Sequence, residues 1–158
     1  MAETQVSVSR HIAAPAATVW QMISDVTRMG EWSPETTQAS WSKGANGPTL
    51  GARFSGDNRN GKKTWSMGCT VDECDVGRSF GFAVAAGPLK VAHWSYRIEP
   101  DPGDGAGDGC TVTETWTDQR GWLVGQLGKP VSGVADRASH NRAGMEQTLE
   151  RLAAAAEG

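Results

Sequence analysis

The sequence predicts an α+β domain in which a curved antiparallel sheet wraps around one long helix. Three observations predict it. Short segments of alternating apolar and polar residues follow one another through the middle of the chain. Glycine-containing turn signals punctuate them at hairpin spacing. The C-terminal segment changes to an apolar recurrence every three or four residues, the period of an amphipathic helix. An antiparallel sheet with one apolar face and a single amphipathic helix bury both faces by packing on each other.

The elements follow in order. QVSVSRHI, residues 5 to 12, alternates, with Val6, Val8, Arg10 and Ile12 on one face and Ser7, Ser9 and His11 on the other. Ala13-Ala14-Pro15 ends this strand, and Pro15 suits a first helical turn, where its missing N–H costs nothing. Val19, Trp20, Met22 and Ile23 keep helical spacing, and Asp25 can cap a second short helix through Met29. Pro34 ends it, because the residue before a proline avoids the helical region. Strands are then expected over Thr36–Trp41, Ala52–Asp57, Lys63–Glu73, Ser79–Ala85, Val91–Glu99 and Cys110–Asp118. A hairpin signal centres on Asn60-Gly61, and Ala86-Gly87-Pro88 makes a second turn. From about Lys129 the stripe Val131, Val134, Ala138, Asn141, Met145, Leu149 and Leu152 predicts one long helix. No repeat or linker divides the chain, so residues 1–158 read as a single domain.

Composition removes several function classes. At 158 residues the chain can bury a real core, and 38% hydrophobic with 21% charged residues is ordinary for a globular protein. A net charge of -3 gives no reason to expect nucleic acid or an anionic membrane surface. No apolar run approaches the roughly 18 residues that a membrane span needs, so no integral membrane contact is expected. Cys69, Cys74 and Cys110 are an odd set without CxxC spacing, which reads as reduced thiols in a cytoplasmic protein. GQLGKP lacks the phosphate-loop spacing, and Asp101, Asp104 and Asp108 lack EF-hand spacing. No cofactor and no metal are expected. The unusual count is seven Trp against three Phe and one Tyr. HWSYRIEP, residues 93 to 100, places Trp94, Tyr96 and Ile98 on one strand face. Such a wall faces either a packed core or a hollow.

SVSRHIAAPAATVWQMISDVTRMGEWSP, HWSYRIEP with CTVTETWTD, and GVADRASHNRAGMEQTLERL cover both ends of the chain and two of its strands. In these segments the sequence resembles the START-like superfamily, also called SRPBCC or helix-grip, and in particular its bacterial polyketide cyclase/dehydrase members. The resemblance implies a Bet v 1-like fold: seven antiparallel strands around the C-terminal helix, with two short helices after strand 1. It also implies an internal pocket between sheet and helix.

With that face inward, strand parity assigns the lining. Trp65, Met67, Cys69 and Val71 share a face, as do Phe80, Phe82 and Val84, and Val112, Glu114 and Trp116. Trp65, Met67, Phe80, Phe82, Trp94, Tyr96, Glu114 and Trp116 are the candidate ligand-binding residues on the sheet, and Val134, Asn141 and Met145 those on the helix. Pockets lined this way take apolar molecules and use few polar groups for orientation. Glu114, Tyr96 and Arg10 are the polar exceptions and the candidates for any acid–base chemistry. The first and last strands are neighbours in this fold, so Arg10 and Glu114 meet inside, or else strand irregularity carries both charges to solvent. His11 and His93 fall on the outward face, and His140 reads as surface. GWLVGQLGKP, with Trp122 and Leu123, either covers an opening or packs on the sheet edge.

The expected function is binding of a hydrophobic or aromatic small molecule, lipid- or polyketide-like. Two alternatives stay open: a polyketide aromatase/cyclase or dehydratase, and an interaction protein or chaperone activator whose cavity is filled by its own side chains. The sequence does not fix the oligomeric state.

Overall fold

The computed structural model describes residues 4–102, 108–120 and 136–158. Strand β1 (Gln5–Ile12) is followed by helix α1 (Ala16–Ser24), a 3-10 turn (Val26–Arg28) and one turn of helix, α2 (Met29–Trp32). Strands β2 (Thr36–Ser42), β3 (Arg53–Asn60), β4 (Lys63–Asp75), β5 (Ser79–Ala86), β6 (Leu89–Pro100) and β7 (Cys110–Asp118) come next, and helix α3 (Arg137–Glu157) ends the chain. The sheet is seven-stranded and antiparallel in the order β1-β7-β6-β5-β4-β3-β2. Each consecutive pair from β2 to β7 is a hairpin neighbour, and β1 closes the far side against β7.

Local chemistry explains the boundaries. Pro15 precedes the first residue of α1, with φ -60° already suited to a helix entrance. The Asp25 carboxylate accepts the Thr27 backbone N–H and caps the 3-10 turn. Ser33 leaves the helical region at ψ 130°, as a residue before proline must. The first long hairpin differs from the expected one by a residue. Asn60 pairs with Lys63, so the two-residue loop is Gly61-Lys62 rather than Asn60-Gly61. Gly61 and Gly87 stand first in their loops with φ of +62° and +60°, the positive value that a type II′ hairpin requires there.

Bulges at Asp72, between the partners of Phe82 and Gly81, and at Val91, between the partners of Val84 and Ala85, bend β4 and β6 and curl the sheet. The concave face carries the core. Along it Trp41, Phe54, Phe82 and Phe80 form a run of ring contacts at centroid distances of 5.6, 5.0 and 6.0 Å. Helix α1 packs on β5 and β6, and the Trp20 indole N–H donates to the Ser79 carbonyl at 2.8 Å. Helix α3 lies over β1 and buries Met145, Leu149, Leu152 and Ala153. Its first turn is fixed by Asp136, whose carboxylate accepts the Ser139 backbone N–H and hydroxyl. The sequence stripe places Val131 and Val134 in this helix, but both lie outside the described residues. The convex face is polar, with Ser7 and Ser9 hydroxyls bonded to Thr115 and Thr113 across β1 and β7.

Candidate functional site

Between the sheet and α3 lies a cavity of about 450 Å³. That is within the roughly 300–1,000 Å³ range of small-molecule pockets. The sheet contributes Trp65, Met67, Phe82, Trp94 and Trp116, each on the concave face through strand alternation. Asn141 and Met145 line it from α3, four residues apart and therefore on one helix face. Cys69 lines it too, and burial pushes its thiol up to about 12, so it acts as a small apolar surface.

One end is closed. Tyr96 and Glu114 are register partners on β6 and β7, and both line the cavity there. The next inward rung on the same strands, Ile98 and Val112, is solid core. Phe80 belongs to that core and not to the lining. It is fully buried under α1, whose packing fills the concave face at this end, so shared parity with Phe82 does not give it access to the hollow.

The Tyr96 hydroxyl donates to Glu114 Oε2 at 2.8 Å. Glu114 is 2% exposed, and among the described residues its Oε1 has no hydrogen-bond partner. Burial pushes its carboxyl up to about 8, against the opposing effect of the Tyr96 bond. Burial and the adjacent carboxyl push the Tyr96 hydroxyl well above its ordinary range. Arg10 is not the partner. It is exposed and pairs in register with Val112, while Glu114 faces Val8. β1 is an edge strand, so a long side chain on its inner face reaches solvent past the edge.

The other end carries a charged rim that strand parity does not reveal. Arg137, in the first turn of α3, donates from Nη1 to both Glu35 oxygens at 2.9 Å and to Asn141 Oδ1 at 3.3 Å. His140 Nε2 lies 2.9 Å from Glu35 Oε2, so His140 belongs to the rim rather than to an empty surface. Glu35 is held by a local turn in which Ser33 Oγ accepts the Glu35 and Thr36 backbone N–H groups. Arg120 lines the same end and donates to both oxygens of Asp118 at 2.9 Å. Burial works to raise the Asp118 carboxyl, but the Arg120 bonds outweigh it and hold the group below the usual range. The sequence signal for this rim was present in part: Arg137, Asn141, Met145 and Thr148 step along α3 at three and four residues. His11 and His93 sit on the outward face, 2.8 Å from Asp101 and 2.9 Å from Asp72. Val134 and GWLVGQLGKP lie outside the described residues.

A hollow, half-aromatic antiparallel sheet closed by one C-terminal helix defines the START-like class of proteins. A START superfamily protein from Mycobacterium smegmatis superposes with a TM-score of 0.70 at 15% identity, covering 97% of each chain. A protein from Chromobacterium violaceum matches at 0.67 and 13% identity over 99% of each chain. A Polyketide_cyc-like protein from Corynebacterium glutamicum is 30% identical, with a TM-score of 0.61, covering 94% of this chain and 88% of its own. The family model described as polyketide cyclase / dehydrase and lipid transport matches residues 3–157, and the chain belongs to that family. No curated protein matches it. Among the described residues no helix is long and apolar enough to cross a membrane.

Proposed function

We propose that this protein binds an apolar, lipid- or polyketide-like small molecule in the cavity between sheet and α3. The observation that carries the reading is the composition of the hollow. Its wall is aromatic and aliphatic, its closed end holds one polar pair, Tyr96 and Glu114, and its charged groups gather at the rim. An apolar body gains by leaving water for such a wall, and a few polar contacts orient it. A hollow of about 450 Å³ also weighs against a cavity filled by the protein's own side chains.

Native mass spectrometry of the purified protein tests this, together with titration by an apolar fluorophore read through quenching of Trp65, Trp94 and Trp116. Saturable binding at one site is expected. Absence of saturable binding across a panel of fatty acids, fused aromatics and polyketides would remove the reading.

A second reading rests on Glu114 itself. A carboxyl pushed up to about 8 is poised to exchange a proton near neutrality, as an enzyme of the cyclase or dehydratase type would need. Turnover of a cyclisable poly-ketone that disappears in Glu114→Gln is the observation that favours it.

A further inference from the structure

The polar pair at the closed end has an unequal division of hydrogen bonds, and that division specifies a ligand group. The only hydrogen of the Tyr96 hydroxyl is committed to Glu114 Oε2. Glu114 Oε1 is buried and without a partner among the described residues, although it belongs to a residue that lines the cavity. No described neighbour supplies one. Trp94, Trp116, Asn141, Met145 and Thr148 line the same cavity, and none of them bonds Oε1; the Asn141 Oδ1 accepts from Arg137, and the Thr148 hydroxyl donates to the Gly144 carbonyl.

We propose that Glu114 selects the ligand by its uncharged form, donating a hydrogen bond from Oε1 to an uncharged oxygen acceptor, a carbonyl, on an otherwise apolar molecule. The inference deepens the binding reading above and rests on it. An acid that already accepts at one oxygen carries its proton on the other, so Oε1–H is the free donor. Burial favours that form, and it holds to about pH 8. A ligand carboxylate placed here would bury a second acid beside the first, which the site disfavours. Above that pH the ionised Glu114 has no hydrogen to give, and a carbonyl oxygen would face a carboxylate. The other titratable groups of the cavity are Tyr96 and Cys69, both held protonated by burial, and Glu35, Arg120, Arg137 and His140 at the rim. None of the rim groups is bonded to Glu114.

The test uses two probes of nearly equal shape, 2-acetylnaphthalene and 2-isopropylnaphthalene, with 2-naphthol as a donor control, each titrated by tryptophan quenching. At pH 6 the wild type is expected to bind the ketone about fivefold or more tightly than the hydrocarbon, the worth of one neutral hydrogen bond. At pH 9.5 that preference should vanish. Glu114→Gln keeps a donor that does not titrate, so its ketone preference should persist at both pH values. Glu114→Leu should bind both probes alike at either pH, with native near-ultraviolet circular dichroism as the check on its fold. Equal affinity for ketone and hydrocarbon in the wild type at pH 6 would overturn the inference. So would a preference for 2-naphthol over the ketone, or a pH response surviving in Glu114→Leu, which would assign it to the rim groups. If neither naphthalene binds, the cavity is not a ligand pocket and the broader reading falls with this one.

Discussion

Arg137 holds both oxygens of Glu35 through one nitrogen at 2.9 Å, and so ties the first turn of α3 to the entry of β2 across the rim of the cavity. The pair joins residues 102 positions apart and is only partly exposed, which sets it apart from an ordinary surface ion pair. Exposed pairs contribute about 0.2–1 kcal/mol. A double-mutant cycle with Glu35→Gln and Arg137→Met, read by urea unfolding, is expected to give a coupling of about 1–2 kcal/mol, in line with hydrogen bonds to charged groups. His140, also on Glu35, retains part of the tie in Arg137→Met. A coupling near zero would mean that the rim does not hold the helix.

Glu114 gives stability a pH dependence of definite sign. Its folded carboxyl titrates at about 8 and an unfolded one near 4.5, so between those values the folded protein binds the extra proton. Stability should therefore be highest at the acid end of that window, fall as pH rises from about 4.5 to about 8, and level off above it. At about 1.4 kcal/mol per unit the total is about 3–5 kcal/mol. Glu114→Gln removes this dependence, so it should match the wild type near pH 5 and exceed it by a few kcal/mol, roughly this total, at pH 9. Urea unfolding at the two pH values measures it.

Tyr96→Phe deletes the one bond that favours the ionised form of Glu114. The carboxyl should titrate higher still, moving the end of the stability decline to higher pH. The variant should lose about 1–3 kcal/mol at pH 6 by leaving a second buried oxygen unpaired. An unmoved transition would show that the hydroxyl does not bond the carboxyl in solution.

Gly144 lines the cavity from within α3, and a Cβ there would sit 3.4 Å from Pro34 Cγ. Gly144→Ala should raise stability by about 0.5–1 kcal/mol, the helix preference of Ala over Gly, and leave probe binding within a factor of two. Gly144→Phe should project a ring into the hollow and weaken an apolar probe by tenfold or more while unfolding stays cooperative. Undiminished binding in Gly144→Phe would place the ligand elsewhere.

Deleting everything after Gly128 removes α3 and uncovers the concave face. The buried Met145, Leu149 and Leu152 then have no substitute, and the truncated protein is expected to be insoluble or to bind 1-anilinonaphthalene-8-sulfonate as a molten state. A soluble fragment that unfolds cooperatively would contradict the architecture.

Period-two alternation made the sheet legible in the sequence, because a face buried against a helix tolerates no slip in register. It placed Trp65, Met67, Phe82, Trp94, Tyr96, Glu114 and Trp116 on the concave side. Parity names a face but not what covers it, and that is where Phe80 and Arg10 depart: α1 seals the first, and the open edge of β1 releases the second. The rim was only half legible, for a different reason. Arg137 shares the helical spacing of Asn141 and Met145, but Glu35 lies in a three-residue connection that carries no periodic signal. Their meeting is a product of the closed topology. The shift of the hairpin to Gly61-Lys62 reflects two adjacent turn formers, of which the positive φ of Gly61 at the first loop position decided the outcome.

The pairing of β1 with β7 has a consequence for synthesis. Gln5 faces Thr117 and Ile12 faces Cys110, so β1 waits for β7 before any of its backbone ladder can form. Throughout translation of the intervening hairpins, Val6 and Ile12 have no sheet to bury against. The β2–β7 meander can assemble by near-neighbour contacts, but the domain closes only when β7 and then α3 have left the ribosome. Closure of the domain therefore waits for synthesis of β7 and α3, and the β1–β7 ladder, whose partners lie roughly 100 residues apart, is expected to form late.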